Sequence, residues 1–252
     1  MYVIFIIGTA GSGKSLLTSA FSDWLRLKRQ DVLNVNLDPG VRHLPYAPDI
    51  DVRDKISLDD IMDRYMLGPN GGLIMASDLI ASEIDSIRLE IEEYNADYVI
   101  VDTPGQIELF AFRQSGLYIA DELTSDPKAI IYLFDAAFSA SPLNYVSNMF
   151  LATAIRNRFF LPQLYVLSKV DLLPNKTVNE ILNYGRRVGV LENAIERELT
   201  GTKRLMSRSV MQLISSLGLA FSLIPTSSKT QRGFISLHSF LMRIFAGGEE
   251  VI

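Results

Sequence analysis

Short apolar runs recur along the chain and alternate with stretches in which apolar residues follow helical spacing. A compact apolar run bounded by turn residues is typical of a strand that is buried on both faces. The runs that we interpret as strands cover residues 2–7, 32–37, 98–101, 129–134, 163–167 and 223–225. Strands that alternate with helices predict an α/β fold, with a mostly parallel sheet covered by helices on both faces.

Helical patterns fill most of the segments between these strands. Ser57 opens a short helix that ends near Leu67, and helical spacing returns from Leu73 to Ile91. Between them, residues 68–71 read Gly-Pro-Asn-Gly, which on local chemistry alone predicts a turn between two helices. Further helices are predicted at residues 16–21, 142–160 and 234–245, and a loop that could move is predicted at residues 41–55.

No linker-like stretch divides the chain, so we expect a single domain over residues 1–252. One segment, around residues 174–220, is helical and more charged than its surroundings, and we interpret it as an insertion. We expect this insertion to lie on the sheet as two or three helices.

Composition narrows the classes of function. The 252 residues carry a formal net charge of −5, so the chain lacks the excess of positive charge that is typical of proteins that bind nucleic acid. There is no cysteine, which excludes disulfides, thiolate zinc sites and cysteine nucleophiles. The first residues lack the pattern of a secretory signal, and no apolar run approaches the ~18 residues that span a bilayer. We therefore expect a cytoplasmic protein without membrane or nucleic-acid partners.

The first strand leads directly into residues 8–15, Gly-Thr-Ala-Gly-Ser-Gly-Lys-Ser, and then into a helical pattern. This order is the context that a phosphate-binding P-loop requires, because glycines let successive N–H groups face the phosphates at the positive end of a helix. Lys14 would reach the β- and γ-phosphates during catalysis, and Ser15 would be a Mg²⁺ ligand. The alternative is a glycine-rich turn that only joins a strand to a helix. The predicted phosphate-binding residues are Gly11, Ser12, Gly13, Lys14, Ser15 and Leu16.

A second group of candidates follows the strand at residues 98–101. Asp102 is at the Walker B position and would hold Mg²⁺, or else would only cap the next turn. Gly105 can bring its N–H close to a γ-phosphate, because it has no side chain in the way. Gln106 is placed to orient a water, and Glu108 could orient it or take its proton. For Glu108, a solvated glutamate in the first turn of a helix is an equal alternative.

Residues 168–171, Ser-Lys-Val-Asp, follow a later strand and are the candidates for reading a base. One carboxylate can accept both the N1–H and the N2–H₂ of guanine, whereas adenine has no such donor pair. Asp171 would therefore select guanine, while the stem of Lys169 lies against the purine. Ser168 replaces the more usual Asn or Thr, and a polar loop is the alternative. Ser227 begins a loop whose main-chain N–H could contact the guanine O6.

Asp38 lies at the end of the second strand and is either a turn residue or a residue that holds an attacking or Mg²⁺-bound water. Asp135 has a similar position, but we interpret it as a loop cap. Arg42, Arg53 and Arg113 are possible arginine fingers, and the sequence does not select among them.

Taken together, these motifs resemble the GPN-loop GTPases, a family of the SIMIBI class of P-loop proteins. The resemblance covers essentially the whole chain, as a single archaeal-type member, and makes residues 56–95 the GPN-loop insertion. The matching residues are 8–15, Asp38-Pro39, Gly68-Pro69-Asn70, residues 102–105 with Gln106 and Glu108, and residues 168–171.

The resemblance implies a constitutive homodimer with two facing nucleotide sites. In such a dimer Asn70 approaches the γ-phosphate position of the partner subunit, which replaces the plain-turn interpretation of the Gly-Pro-Asn stretch. It also implies that Asp38, Gln106 and Glu108 position the hydrolytic water. The eukaryotic members resemble assembly factors for RNA polymerase, so an unknown protein client in the transcription or replication machinery is implied.

Three functions remain open from the sequence. The first is a Mg²⁺-dependent GTPase and molecular switch, which binds GTP or GDP and acts as an assembly or regulatory factor. The second is a scaffold that binds GTP and a client with little turnover. The third, less favoured, is a kinase that transfers the γ-phosphate to an acceptor.

Overall fold

The computed structural model describes residues 1–198 and 221–247. Its centre is a seven-stranded sheet in which every described strand pair is parallel. The strands are β1 (Tyr2–Gly8), β2 (Val32–Asn36), β3 (Ile50–Asp51), β4 (Tyr98–Asp102), β5 (Lys128–Asp135), β6 (Gln163–Ser168) and β7 (Leu223–Pro225). The order across the sheet is β3-β2-β4-β1-β5-β6-β7, which confirms the predicted α/β class.

Helices connect the strands and cover both faces of the sheet. In the described ranges, no helix combines the length and the apolar character that a bilayer crossing needs. The helices are α1 (Lys14–Leu27), α2 (Leu58–Tyr65), α3 (Pro69–Ser82), α4 (Ile84–Tyr94), α5 (Ile107–Ala111), α6 (Gln114–Glu122), α7 (Ala136–Ser139), α8 (Pro142–Phe159), α9 (Asn175–Arg186), α10 (Val188–Glu198) and α11 (Phe234–Phe245).

The alternation of side chains along β1 divides the core into two layers. Phe5 and its neighbours at every second position pack on one face, whereas Ile4 and Ile6 pack on the other, against Phe21 of α1 and Phe234 of α11. Each of these buried side chains stabilises the fold by about 1.5–3 kcal/mol. Since both layers close on the same strand, β1 and the loop that follows it are held firmly in the middle of the sheet.

The segment around residues 56–95 shares the first of these layers. Ile61 of α2, Ile80 of α3 and Ile87 of α4 are buried in the same cluster as Phe5. The helical pattern that the sequence shows from Leu73 onward is divided into two helices at Glu83. The insertion is therefore packed onto this face of the sheet.

The loop prediction for residues 41–55 is wrong at its end. Ile50–Asp51 forms the short edge strand β3 beside β2, and Val52–Asp54 forms a single 3₁₀ turn. Two residues are too few to show any period-two pattern, so the strand is created by its pairing with β2. The predicted helices of the later insertion are present as α9 and α10, and residues 199–220 of that insertion lie outside the described part of the chain.

Candidate functional site

The P-loop connects β1 to α1 at the carboxyl edge of the sheet. Gly11 has φ 75° and Gly13 has φ 98°, a region of backbone space that residues with a side chain rarely occupy. Gly13 is the N-cap of α1, and Leu17 N–H donates to its carbonyl at 2.9 Å. The loop and the positive end of α1 therefore have the arrangement that the glycine spacing predicts.

Lys14 is buried at the first position of α1. Its Nζ donates to the carbonyls of Gly8 at 3.0 Å, Thr9 at 3.2 Å and Gly105 at 3.3 Å. Burial lowers the pKa of Lys14, while the charges of Asp102 and Asp38 raise it. The ammonium group thus lies where the P-loop and the segments after β2 and β4 come together.

Asp102 ends β4 and is only 1% exposed. Its Oδ2 accepts a hydrogen bond of 3.1 Å from the hydroxyl of Tyr46. Its Oδ1 is buried and has no hydrogen-bond partner among the residues described. Burial raises the pKa of Asp102 to about 6, although Ser15, Tyr46 and Lys14 each lower it.

The two predicted metal ligands, Ser15 and Asp102, fit a hard cation. Ser15 lies close enough to Asp102 to lower its pKa, yet Oδ1 receives no hydrogen bond of normal geometry. A buried carboxylate oxygen without a partner is costly. Mg²⁺ prefers one or two carboxylate or hydroxyl oxygens, with waters and phosphates completing its shell, so the donor set matches.

Asp38 lies between the segments that follow β2 and β4. Its Oδ2 accepts from the N–H of Gly105 at 2.8 Å, and its Oδ1 accepts from the N–H of Gly40 at 2.9 Å. Asn36 holds the main chain of Asp38 in place, because Asn36 Oδ1 accepts a hydrogen bond from the N–H of Asp38 at 3.0 Å. Asn36 also donates from Nδ2 to Asp51 at 2.9 Å. The N–H of Gly105 predicted to meet a γ-phosphate therefore meets a carboxylate of the protein itself.

The two candidates for water positioning start α5. Gln106 is the N-cap and is partly buried, whereas Glu108 is exposed in the first turn. Gln106 follows Gly105 directly and Glu108 lies three positions after it, so both lie at the end of the sheet where Lys14 contacts Gly105. Both interpretations of Glu108 remain open.

The base-reading candidates sit at the end of β6, beside the P-loop. Ser168 is buried and donates to the carbonyl of Ser12 at 2.8 Å, so serine is sufficient to join this strand to the P-loop. The stem of Lys169 runs past Gly13, and its Nζ donates to Gly11 O and, at 2.7 Å, to Asp135 Oδ2. Asp171 follows in a 3₁₀ turn and is exposed.

Two further positions differ in detail from their expected roles. Ser227 is buried, and its N–H donates to the carbonyl of Arg232 at 3.1 Å, so this particular N–H is already engaged within its own loop. Asp135 accepts from the N–H of Phe138 at 3.0 Å at the start of α7, which confirms the capping interpretation.

The Gly-Pro-Asn stretch is a helix start. Gly68 is the N-cap, Pro69 is the first residue of α3, and Asn70 is exposed in its first turn. Pro69 lines a groove of about 660 Å³ together with Gly40 and Arg42 of the loop after β2. Asn70 thus stands at the surface, next to the segment that carries Asp38.

Two of the candidate arginine fingers are engaged in ion pairs. Arg53 pairs with Asp51 and donates to the carbonyl of Val41 at 2.9 Å. Arg113 pairs with Asp78 of α3 at 2.6 Å. Arg42 is exposed, so the geometry does not single out any of these three candidates.

Two residues at this edge, Tyr46 and Asn36, were not anticipated as part of the site. Thr103 lies within the matched residues 102–105 but had no assigned role, and its Oγ1 donates to the carbonyl of Ile6 at 2.7 Å. Asn34 and Asn36 had a visible signal, because two polar residues alternate inside an otherwise apolar strand and are both buried. Tyr46 had none, since its contact depends on how a loop without a periodic pattern folds back.

Comparison with known proteins agrees with this architecture. A family described as conserved hypothetical ATP binding protein matches residues 6–246. The GPN-loop GTPase PAB0955 of Pyrococcus abyssi is 32% identical over 244 residues, which cover 95% of each chain. The solved structure of PAB0955, described as a GTPase in apo form, matches with a TM-score of 0.84, at 30% identity and over 96% of each chain.

Eukaryotic relatives are longer. GPN-loop GTPase 1 of Saccharomyces cerevisiae is 32% identical over 220 residues, covering 86% of this chain and 57% of the relative. GPN-loop GTPase 1 of Dictyostelium discoideum is 35% identical over 180 residues, covering 70% and 46%. This chain spans about half the length of these curated relatives. With the family match over nearly its whole length, the archaeal relative and the shared fold, the chain belongs to the GPN-loop GTPase family.

Proposed function

We propose that this protein is a Mg²⁺-dependent GTPase that works as a homodimeric molecular switch. The observation that carries the proposal is the position of the buried Lys14 ammonium, between P-loop carbonyls and the carbonyl of Gly105 and near Asp102 and Asp38. A lysine, a metal carboxylate and a glycine N–H around one helix N-terminus are the parts that phosphoryl transfer uses. Archaeal and eukaryotic relatives carry the name GTPase, which supports the same reaction.

Guanine is the proposed base. The family description mentions ATP, whereas the relatives are named GTPases. The exposed carboxylate of Asp171 favours guanine, because it can accept two adjacent donors that adenine lacks. The stem of Lys169 beside Gly13 offers an apolar surface for the purine.

Ser15 and Asp102 are the residues that would hold Mg²⁺, which when bound neutralises charge on the phosphates. Lys14 binds the β- and γ-phosphates and stabilises the negative charge that develops on the leaving oxygen. The N–H of Gly105 binds a γ-phosphate oxygen after Asp38 has left it. Gln106 and Asp38 orient the attacking water, and Glu108 is the candidate to accept its proton. Catalysis then rests on positioning and electrostatics, without a covalent intermediate.

The homodimer is proposed because Asn70 is exposed on its own subunit. A residue in the first turn of α3 can contribute to a phosphate site if another subunit faces it. The biological role proposed is that of an assembly or regulatory factor for a protein client, in the cytoplasm. The absence of cysteine is compatible with a reducing compartment, and the net charge of −5 gives no support for nucleic acid as a partner.

The test is phosphate release from GTP by the purified protein with Mg²⁺ and no added acceptor. We expect turnover that EDTA abolishes and that Lys14→Ala reduces by at least about 10²-fold. GTP that binds tightly with Mg²⁺ but is not hydrolysed would instead favour the scaffold function. Phosphate transfer only in the presence of an acceptor would favour the kinase.

A further inference from the structure

Tyr46 reaches the site from a loop in which sequence patterns indicated no role for it. The loop leaves β2 and returns at β3, and Tyr46 stands near its middle. Its hydroxyl donates to Oδ2 of Asp102 at 3.1 Å. A carboxylate oxygen only accepts, so the phenol is the donor in this pair.

Two hydrogen bonds other than that of Tyr46 tie the loop to its surroundings. Ser19 of α1 donates to the carbonyl of Pro45 at 3.3 Å. Arg53, which pairs with Asp51 of β3, donates to the carbonyl of Val41. Tyr46 is thus presented to Asp102 by a loop with anchors of its own, and removal of its hydroxyl leaves these anchors intact.

The two oxygens of Asp102 have different surroundings. Oδ2 is taken by Tyr46, and Oδ1 is buried without a hydrogen bond in the described part of the chain. A carboxylate that binds a metal through one oxygen is commonly held at the other by a hydrogen-bond donor, which fixes its orientation. Tyr46 supplies such a donor, and it comes from the loop that begins at Asp38.

We propose that Tyr46 is a positioning residue for the metal site: its hydroxyl holds Oδ2 of Asp102 and leaves Oδ1 for the Mg²⁺ that accompanies the nucleotide. This inference rests on the proposed function. It makes the metal site depend on the loop after β2, so the loop contributes to Mg²⁺ affinity without itself being a ligand. The competing possibility is that the hydroxyl is only a placeholder, which the metal displaces.

The two possibilities predict opposite effects of Tyr46→Phe. This variant keeps the ring and removes only the hydroxyl. The measurement is the affinity of GDP carrying a fluorescent methylanthraniloyl group, first in EDTA and then at increasing Mg²⁺. For the positioning role, we expect the affinity for the labelled GDP in EDTA to be within about twofold of the wild-type value. The Mg²⁺ concentration that gives half of the Mg²⁺-induced change in affinity, called the midpoint below, should rise about tenfold or more.

Two variants serve as controls. Tyr94→Phe removes a hydroxyl from an exposed tyrosine of α4. Ser19→Ala removes the hydrogen bond that ties Pro45 of the loop to α1 and leaves the contact with Asp102 in place. Both should keep the wild-type midpoint. If Ser19→Ala shifts the midpoint as far as Tyr46→Phe does, general loosening of the loop explains the effect and the positioning role is overturned.

The remaining outcomes are distinct. An unchanged midpoint in Tyr46→Phe, or a lower one as expected for a placeholder, overturns the inference but leaves the GTPase proposal standing. Equal losses of affinity in EDTA and in Mg²⁺ indicate a structural role and also overturn it. Wild-type protein whose nucleotide affinity ignores Mg²⁺ contradicts the proposed function itself.

Discussion

The main-chain N–H of Gly105 donates a 2.8 Å hydrogen bond to the Asp38 carboxylate, which joins the segments that follow β2 and β4. One N–H cannot serve a carboxylate and a γ-phosphate at full strength at once. Under the proposed function, GTP must therefore displace Asp38 from Gly105, whereas GDP need not. The displaced carboxylate is then available to hold a water, so the same contact accounts for both sensing the γ-phosphate and preparing for hydrolysis.

Asp38→Ala removes this competitor for the Gly105 N–H. We expect the ratio of affinities for a non-hydrolysable GTP analogue and for GDP to rise about tenfold, because a hydrogen bond to a charged group contributes about 1.5–3 kcal/mol when buried and less here, where Asp38 is partly exposed. Hydrolysis should fall at the same time. Titration calorimetry with both nucleotides measures the ratio. Asp38→Asn keeps an oxygen acceptor and should give a smaller change, and an unaltered ratio in Asp38→Ala would refute the competition.

Gln106→Ala and Glu108→Ala test the positioning of water. Gln106 is the N-cap of α5, and Glu108 lies in its first turn. Misplacing an attacking group typically costs up to about 10²-fold, so we expect single-turnover rates about 10- to 100-fold lower with GTP binding nearly unchanged. Glu93→Ala, at an exposed glutamate of α4, is the matched control. Wild-type turnover in both site variants would remove these residues from the mechanism, and wild-type turnover in Glu108→Ala alone would leave it as a solvated glutamate.

Asn70→Ala tests whether the exposed start of α3 acts on a partner subunit. We expect this variant to be impaired in hydrolysis, and Lys14→Ala to be inactive. In a mixed dimer, the site with intact Lys14 faces a partner with intact Asn70. Equal mixing with free subunit exchange makes about half of the dimers mixed, and each mixed dimer has one complete site out of two. The mixture should therefore show about a quarter of the wild-type rate. A mixture that only averages its two components would contradict action across the dimer.

Asp171→Asn tests the selection of guanine. The asparagine amide keeps one acceptor oxygen but puts a donor in place of the second carboxylate oxygen, so guanine N1–H and N2–H₂ can no longer both be accepted. We expect GTP affinity to fall at least about 10²-fold. Affinity for xanthosine triphosphate, whose base has a carbonyl in place of the amino group, should rise. Competition against a fluorescent nucleotide measures both, and equal losses for the two nucleotides would point to misfolding instead.

The parts of the site that were predictable are local in sequence. The P-loop needs eight consecutive residues between a strand and a helix, and a polar residue that follows an apolar run is placed at the sheet edge by the strand itself. Lys14, Asp102 and the Ser168–Asp171 stretch were found in this way. The all-parallel sheet follows from the same alternation of strands and helices.

The parts that were missed are contacts between distant segments. Tyr46 and Asp102 are 56 positions apart, and Asp38 and Gly105 are 67 apart. No periodicity encodes such pairs, because they depend on how the loop after β2 folds over the P-loop. The two-residue strand β3 was missed for a similar reason, since it exists only through its pairing with β2, to which the side-chain hydrogen bond from Asn36 to Asp51 adds.

The selection of guanine is tested most directly by calorimetry of the wild-type protein with a GTP analogue and with the matching ATP analogue, each in Mg²⁺. We expect the guanine nucleotide to bind at least about 10²-fold more tightly, because Asp171 accepts two donors that adenine does not have. Equal affinities, tighter binding of the adenine nucleotide, or no binding of either would contradict it.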